Sequence, residues 1–156
     1  MSAVTYAIWA FAAGAMIPLM AILNAGLARA TGGPIPATVL MLVPGLLALF
    51  LLAVLTSTRA PEVQTLLRVP PLQYAGGLIV VFYILSITFI APRLGVGNAI
   101  LFAVTAQLFT SALIDHFALA GAALRPVTAM RAIGLLVVII GVVLTQIGDR
   151  LVARSH

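Results

Sequence analysis

Three polar residues recur at intervals of four along one apolar stretch of this chain. Gln107, Ser111 and Asp115 occupy positions i, i+4 and i+8, so in a helix their side chains line one face over two turns. Polar groups inside a bilayer are costly, which makes them the first candidates for a function. The Gln107 amide offers two donors and an acceptor near the middle of its stretch, where transporters commonly hold substrate. The spacing predicts either contact with a small-molecule substrate or a hydrogen bond that ties this helix to a neighbour.

The same face ends at Asp115, which His116 follows directly. An acid beside an imidazole can form a pair that responds to protons, so one interpretation is gating or proton coupling. The other interpretation is that both residues lie in water at the helix end and anchor it there. The sequence leaves both interpretations open.

Two more polar residues and two prolines lie inside apolar stretches. Tyr83 and Asn24 come from stretches that could line the same cavity as Gln107, and we predict them as further substrate contacts. Pro18 and Pro44 each remove an amide hydrogen in mid-stretch and disrupt the bond to the carbonyl four residues back. Each proline is interpreted either as a hinge that faces a cavity or as an ordinary kink that aids packing.

The chain lacks the sets of residues that most catalysis needs. It has no pair of embedded carboxylates, no nucleophile beside a base and no cluster of metal ligands, and it contains no cysteine. It also has no glycine-rich phosphate loop of the Walker type. We therefore expect neither an enzyme nor a nucleotide-driven pump, and no metal or other cofactor.

The elements that must position these residues are membrane-spanning helices. Hydrophobic residues make up 63% of the 156 residues and charged residues only 7%, with a mean hydropathy of +1.26. A soluble domain carries roughly 25% charged residues. Five charge-free runs reach the length of about 17–25 residues that a spanning helix needs, and glycine and proline mark the loops between them. We predict an all-α integral membrane protein, a single membrane domain over residues 1–156, with helices at 4–28, 36–57, 72–91, 96–116 and 131–148.

All eight positive charges are arginines, and none lies inside the five apolar runs. A chain that crosses the membrane five times places Arg59, Arg68, Arg125 and Arg131 on one side and Arg29, Arg93, Arg150 and Arg154 on the other. The excess of Lys and Arg that normally fixes orientation is therefore missing. This fits a chain that inserts both ways and pairs head to tail with itself, although an even split of so few charges also arises by chance. We assign the net charge of +5 to contacts with membrane lipids at helix ends, not to nucleic acid.

The last apolar stretch carries Gly134, Gly141 and Gly148, spaced seven residues apart. Seven residues are close to two helical turns, so the three glycines share one face. Small residues allow two membrane helices to approach closely. This face is predicted to pack against one partner helix, from a second copy or from the same chain.

Two sets of residues carry a resemblance to a known family. The first set is Gly14, Pro18, Asn24, Leu27-Ala28-Arg29, Gly33-Pro34 and Ala37. The second and more specific set is Gly76-Gly77, Tyr83, Pro92-Arg93-Leu94-Gly95, Gln107, Ser111 and Asp115-His116-Phe117, with Gly134 and Gly141. With these residues the chain resembles the five-helix short branch of the drug/metabolite transporter (DMT) superfamily, the YdcZ-like inner-membrane proteins. One departure is Met20, where that pattern leads us to expect a glutamine.

The resemblance implies a multi-pass protein of the bacterial inner membrane and half of a transporter, because larger members have ten helices in two inverted five-helix repeats. An odd number of spans puts the two termini on opposite sides, so an unfused unit needs an inverted partner. That partner is a second copy or a second gene product. The expected function is secondary transport of a small molecule by alternating access, at a midplane site in an antiparallel homodimer. The alternative is a non-transporting structural or assembly subunit of a larger membrane complex.

The resemblance also bears on the substrate. Small multidrug transporters of similar size place a carboxylate deep in their first helix to bind cationic drugs, and the first stretch here has no acid. This weighs against exchange of a cation for protons by that scheme and leaves neutral or anionic substrates.

Overall fold

The structure, a computed structural model, describes the backbone of residues 2–154 and the side chains of residues 2–148. Helices account for all of its regular secondary structure in that range. They are α1 (Ala3–Thr31), α2 (Pro34–Leu55), α3 (Val63–Arg68), α4 (Pro71–Leu94), α5 (Val96–Phe117), a 3-10 turn (Leu119–Gly121) and α6 (Ala129–Arg154). The predicted all-α class is confirmed.

Five of the described helices are long and apolar enough to cross a membrane, namely α1, α2, α4, α5 and the segment of α6 from Ala129 to Gly148. They contain 29, 22, 24, 22 and 20 residues. At about 1.5 Å per residue the shortest spans about 30 Å, which is the thickness of the hydrocarbon core. The prediction of five transmembrane helices is confirmed. The single membrane domain over residues 1–156 remains a prediction.

The connection between α1 and α2 is shorter than the gap between the predicted helices at 4–28 and 36–57, because α1 ends at Thr31 and α2 begins at Pro34. Gly32 adopts a left-handed conformation with φ of 81°, and the amide of Gly33 donates to the Ala28 carbonyl at 2.9 Å, which ends α1. The next helix begins at once because Pro34 and Pro36 fall in its first turn, where the missing amide hydrogens cost nothing.

The connection between α2 and α4 was predicted as a loop throughout, but it contains the short helix α3. The Tyr74 hydroxyl donates to the Leu66 carbonyl at 3.0 Å and ties α3 to α4. The Pro70-Pro71 pair separates the two helices, because a residue before proline is disfavoured in the helical conformation.

The two prolines predicted as hinges lie within helices that continue on either side, Pro18 in α1 and Pro44 in α2. Their role as hinges remains a prediction.

The chain divides into two compact units, residues 1–96 and residues 97–156. In the first unit α1, α2 and α4 contact one another. Four of the six buried apolar residues of this unit are alanines, and such small residues allow helix backbones to approach closely. The buried apolar residues of this unit are Ala21, Ala25, Ala37, Ile84, Ile87 and Ala91. The second unit consists of α5, the 3-10 turn and α6, and its buried apolar residues are Ala99, Ala112 and Val142.

Candidate functional site

A hydrogen bond between buried side chains links α1 to α4 in the first unit. The Asn24 amide nitrogen donates to the Thr88 hydroxyl oxygen at 2.6 Å, and that hydroxyl donates to the Ile84 carbonyl at 2.7 Å. Asn24 is 2% exposed and Thr88 3%. Asn24 was predicted as a substrate contact, but one of its amide hydrogens already makes the bond that links α1 to α4.

Three buried polar atoms of this unit have no hydrogen-bond partner within the described part of the chain: Asn24 Oδ1, Thr38 Oγ1 and Tyr83 Oη. Counted along the helix axis, Asn24, Thr38 and Thr88 lie about 10, 6 and 9 Å from the ends of α1, α2 and α4 that meet on one side. Polar groups from three helices are thus gathered at one level. Leaving a buried polar group unpaired costs about 1–3 kcal/mol. The three unpaired atoms, Asn24 Oδ1, Thr38 Oγ1 and Tyr83 Oη, are therefore suited to bind a polar group of a ligand.

Gln107 lies in the middle of α5 and is exposed, as is Ser111. The Ser111 hydroxyl donates to the Leu108 carbonyl of its own helix at 2.9 Å. No side chain of residues 2–148 bonds the Gln107 amide, so within that range it does not act as a tie between helices. The substrate-contact role of both residues remains a prediction. Gln107 and Ser111 belong to the second unit, whereas Asn24 and Tyr83 belong to the first.

Asp115 and His116 both bond to residues 125–131, the end of the connection to α6 and the first turn of that helix. The Arg131 guanidinium, in the first turn of α6, donates to Asp115 Oδ2 at 2.8 Å, with both side chains about a third exposed. In the connection itself, the Arg125 amide donates to the Asp115 carbonyl at 2.8 Å and the Val127 amide donates to His116 Nδ1 at 3.1 Å. A neutral ring that accepts at Nδ1 carries its proton on Nε2. Three bonds thus tie the end of α5 to the segment that leads into α6, and the role of the two residues in gating or proton coupling remains a prediction.

A second bond joins α5 to α6 at the other end of the hairpin, where the Gln146 amide donates to Asn98 Oδ1 at 2.7 Å. Gln146, Thr88 and Thr38 were not predicted as site residues, and Arg131 was not predicted as the partner of Asp115. The first three could have been found as polar residues inside apolar runs, which is the signal that drew attention to Gln107.

The glycine face of α6 is not covered by the described part of the chain. Gly134, Gly141 and Gly148 are all exposed, and a Cβ added at any of them would meet no atom within 4 Å. Over the side-chain-described residues no group of three or more His, Asp or Glu side chains could hold a metal ion.

These features define a multi-pass helical membrane protein with polar groups held between and along its spanning helices. The chain belongs to the family described as "Putative inner membrane exporter, YdcZ", whose model matches residues 5–144. Comparison with curated proteins and with solved structures finds no significant match in either. The resemblance to YdcZ-like proteins is confirmed, and the protein is an inner-membrane protein of a family described as exporters.

Proposed function

We propose that the protein is a secondary exporter of small molecules that works by alternating access as an antiparallel homodimer. The observation that carries the proposal is the exposed amide of Gln107 in the middle of a spanning helix. Gln107 lies about 16 Å from the start of α5, near the centre of the bilayer. A polar amide that meets only hydrocarbon costs roughly 2–7 kcal/mol, so this side chain needs a polar surrounding that a second protein surface supplies.

An inverted second copy supplies such a surface at the right depth. The midplane maps onto itself when a unit is inverted, so the two copies of Gln107 lie at similar depth. Asp115, at the end of α5, instead occurs once on each side of the membrane. This symmetry assigns Gln107 and Ser111, with Tyr83 and Asn24, to substrate contact, and Asp115 with His116 to gating or proton coupling.

The positions of the arginines at the observed helix ends support insertion in both orientations. Arg29 and Arg93 lie in the last turns of α1 and α4, Arg59 and Arg68 in the connection at residues 56–70, and Arg125 and Arg131 around the start of α6. Counted by five membrane crossings, the first two fall on the same side as Arg150 and Arg154, and the other four on the opposite side. Neither side has the excess of positive charge that would fix the orientation.

The uncovered glycine face of α6 supports a close helix contact between the copies. Glycine removes side-chain bulk and lets two helix backbones approach, and in membranes such packing supplies the main attraction. Pro18 and Pro44 are proposed as the hinges of the transport motion, because each leaves the carbonyl four residues earlier without its helical amide partner.

Orientation is tested with a single cysteine at position 31, the last residue of α1. Thr31→Cys in the otherwise cysteine-free protein should be labelled by a membrane-impermeant reagent from both faces. Labelling from one face only, in active protein, would overturn dual insertion and point to a separate partner subunit. Adding three arginines after His156 should lock one orientation and lower export, and co-expression of an oppositely locked copy should restore it.

Transport itself is tested in proteoliposomes that contain only this protein. Uptake or release of a solute that Gln107→Leu abolishes, with the dimer intact, is the expected result. A dimer that moves none of a broad panel of neutral and anionic solutes would favour the structural or assembly subunit.

A further inference from the structure

A cavity of about 390 Å³ lies in the first unit, where α1 and α4 end and α2 begins. Its walls include Ala28, Phe89 and Pro92, and Thr88 lies at its edge. Two arginines, Arg29 and Arg93, also line it. The cavity is open, and since it lies at the ends of three helices it is at the depth of lipid head groups.

Among the side chains of residues 2–148, the positive charge of the cavity has no acidic counterpart. No carboxylate in that range lines it. Among the side chains that the structure describes, the acidic ones are Glu62, beyond the far end of α2, and Asp115, which is paired with Arg131 in the other unit. The positive end of the α2 dipole adjoins the cavity as well, and its N-cap Gly33 has no side chain with which to neutralise it.

One of the two arginines is held in place by its own helix. The Arg93 guanidinium stacks on the Phe89 ring at 3.6 Å from the ring centroid and donates to the Phe89 carbonyl. Arg29 makes no hydrogen bond or ion pair with a residue in the described range, and it is exposed. The Arg93 guanidinium is therefore pre-positioned, and the Arg29 guanidinium is available to bind an anion together with it.

We propose that this cavity binds the anionic head, a phosphate or carboxylate, of an amphipathic molecule whose apolar part lies along the aromatic and aliphatic walls. Guanidinium groups bind phosphate and carboxylate through parallel hydrogen bonds. Because such a head group has at least two acceptor oxygens, two guanidinium groups can bind it together. Such a head comes from an anionic phospholipid of the surrounding leaflet or from a soluble organic anion. The site does not depend on the proposed export function.

The test compares full-length protein in nanodiscs of zwitterionic lipid with and without phosphatidylglycerol. Retained phosphatidylglycerol is counted by native mass spectrometry, and its affinity is measured from the lipid-dependent rise in thermal stability. Phenyl phosphate, added to purely zwitterionic nanodiscs, serves as the soluble probe. The variants are Arg29→Gln, Arg93→Gln and the double substitution. Arg68→Gln in α3 is the matched control, because Arg68 is an exposed arginine outside the cavity.

Each cavity substitution should weaken phosphatidylglycerol binding about fivefold, and the pair about 25-fold, since one basic residue near a charged membrane surface has about that effect. Arg68→Gln should change phosphatidylglycerol binding less than about twofold, because Arg68 does not line the cavity. Stabilisation by phenyl phosphate that the double substitution abolishes would identify a soluble anion as a ligand. Stabilisation by phosphatidylglycerol alone would identify a lipid site.

Wild-type binding by the double variant, or an equal loss in Arg68→Gln, would overturn the site and leave only a diffuse charge effect. If the double glutamine variant is unfolded, the same binding measurement is made on the double variant Arg29→Lys/Arg93→Lys. It keeps both charges but not the parallel hydrogen bonds of the guanidinium groups, so it should bind phosphatidylglycerol about fivefold more weakly than the wild type or weaker still. Unchanged binding in that folded variant would also overturn the proposal and leave only a charge effect.

Discussion

Replacing Thr88 by valine would test the buried bond between α1 and α4 with little change of shape. The substitution removes the hydroxyl that accepts from the Asn24 amide at 2.6 Å and donates to the Ile84 carbonyl at 2.7 Å. The Asn24 amide, in a position 2% exposed, then loses its acceptor. Water cannot readily replace it there.

The expected cost follows from the two bonds that the hydroxyl makes. Hydrogen bonds between membrane helices contribute about 0.6 kcal/mol on average and up to about 1.7 kcal/mol, while a buried donor left unpaired costs about 1–3 kcal/mol. We expect Thr88→Val to lower the free energy of unfolding by about 1–2 kcal/mol. Thr105→Val is the matched control, because the Thr105 hydroxyl bonds only the Leu101 carbonyl of its own helix at 2.8 Å. Loss of such a bond should cost less than about 0.5 kcal/mol.

The assay is reversible unfolding in mixed micelles of increasing SDS fraction, followed by circular dichroism. Asn24→Ala, Thr88→Val and the double variant form a cycle whose coupling energy isolates the bond between the two side chains. A coupling of about 1 kcal/mol is expected. The reasoning would be refuted if Thr88→Val and Thr105→Val lowered the free energy of unfolding equally and Thr88→Val showed no coupling to Asn24→Ala. Ligand binding would then be the only role left for Asn24.

Three other substitutions separate function from folding. Gly141→Leu should leave the folded monomer unchanged, since a Cβ there meets nothing within 4 Å, and should dissociate the dimer in light-scattering measurements. Val143→Phe is the control for bulk: position 143 lies about 200° further round the helix, so the larger side chain there should not dissociate the dimer. Asp115→Asn should cost less than about 1 kcal/mol because its pair with Arg131 is partly exposed, and should slow transport in proteoliposomes while calorimetry shows unchanged substrate binding. Gln107→Leu should weaken substrate binding more than about tenfold without lowering the melting temperature, and a dimer that falls apart instead would identify the residue as a tie between the copies.

The spanning helices could be predicted from the sequence because charge-free length alone decides whether a segment crosses a bilayer. Their ends could not, because local hydrogen bonding sets them. The predicted end of the first helix was residue 28, yet α1 continues to Thr31, where left-handed Gly32 closes it. Similarly, α3 forms inside a segment too polar to span and too short for a hydrophobic pattern to be visible.

The partners of the predicted site residues were harder to predict than the residues themselves. Polarity inside an apolar run drew attention to Asn24, but its partner Thr88 is 64 residues away and is defined only by the packing of α1 on α4. One interpretation of the sequence paired Asp115 with its neighbour His116, and the other placed both residues in water at the helix end. In the structure Asp115 bonds Arg131 in the first turn of α6 and His116 bonds Val127 in the connection before it, because helix geometry points consecutive side chains in different directions.

The distance along the chain between Asn24 and Thr88 also has a consequence during synthesis. At roughly 5–20 residues per second, the ribosome needs roughly 3–13 s to make the 64 residues that separate them. Within that interval α1 and α2 are completed while α4 does not yet exist, so the Asn24 amide lacks the Thr88 hydroxyl that it binds in the folded protein. The nascent pair of helices therefore carries a polar group that costs free energy in hydrocarbon unless water or another polar group satisfies it. The synthesis of residue 88 ends this period.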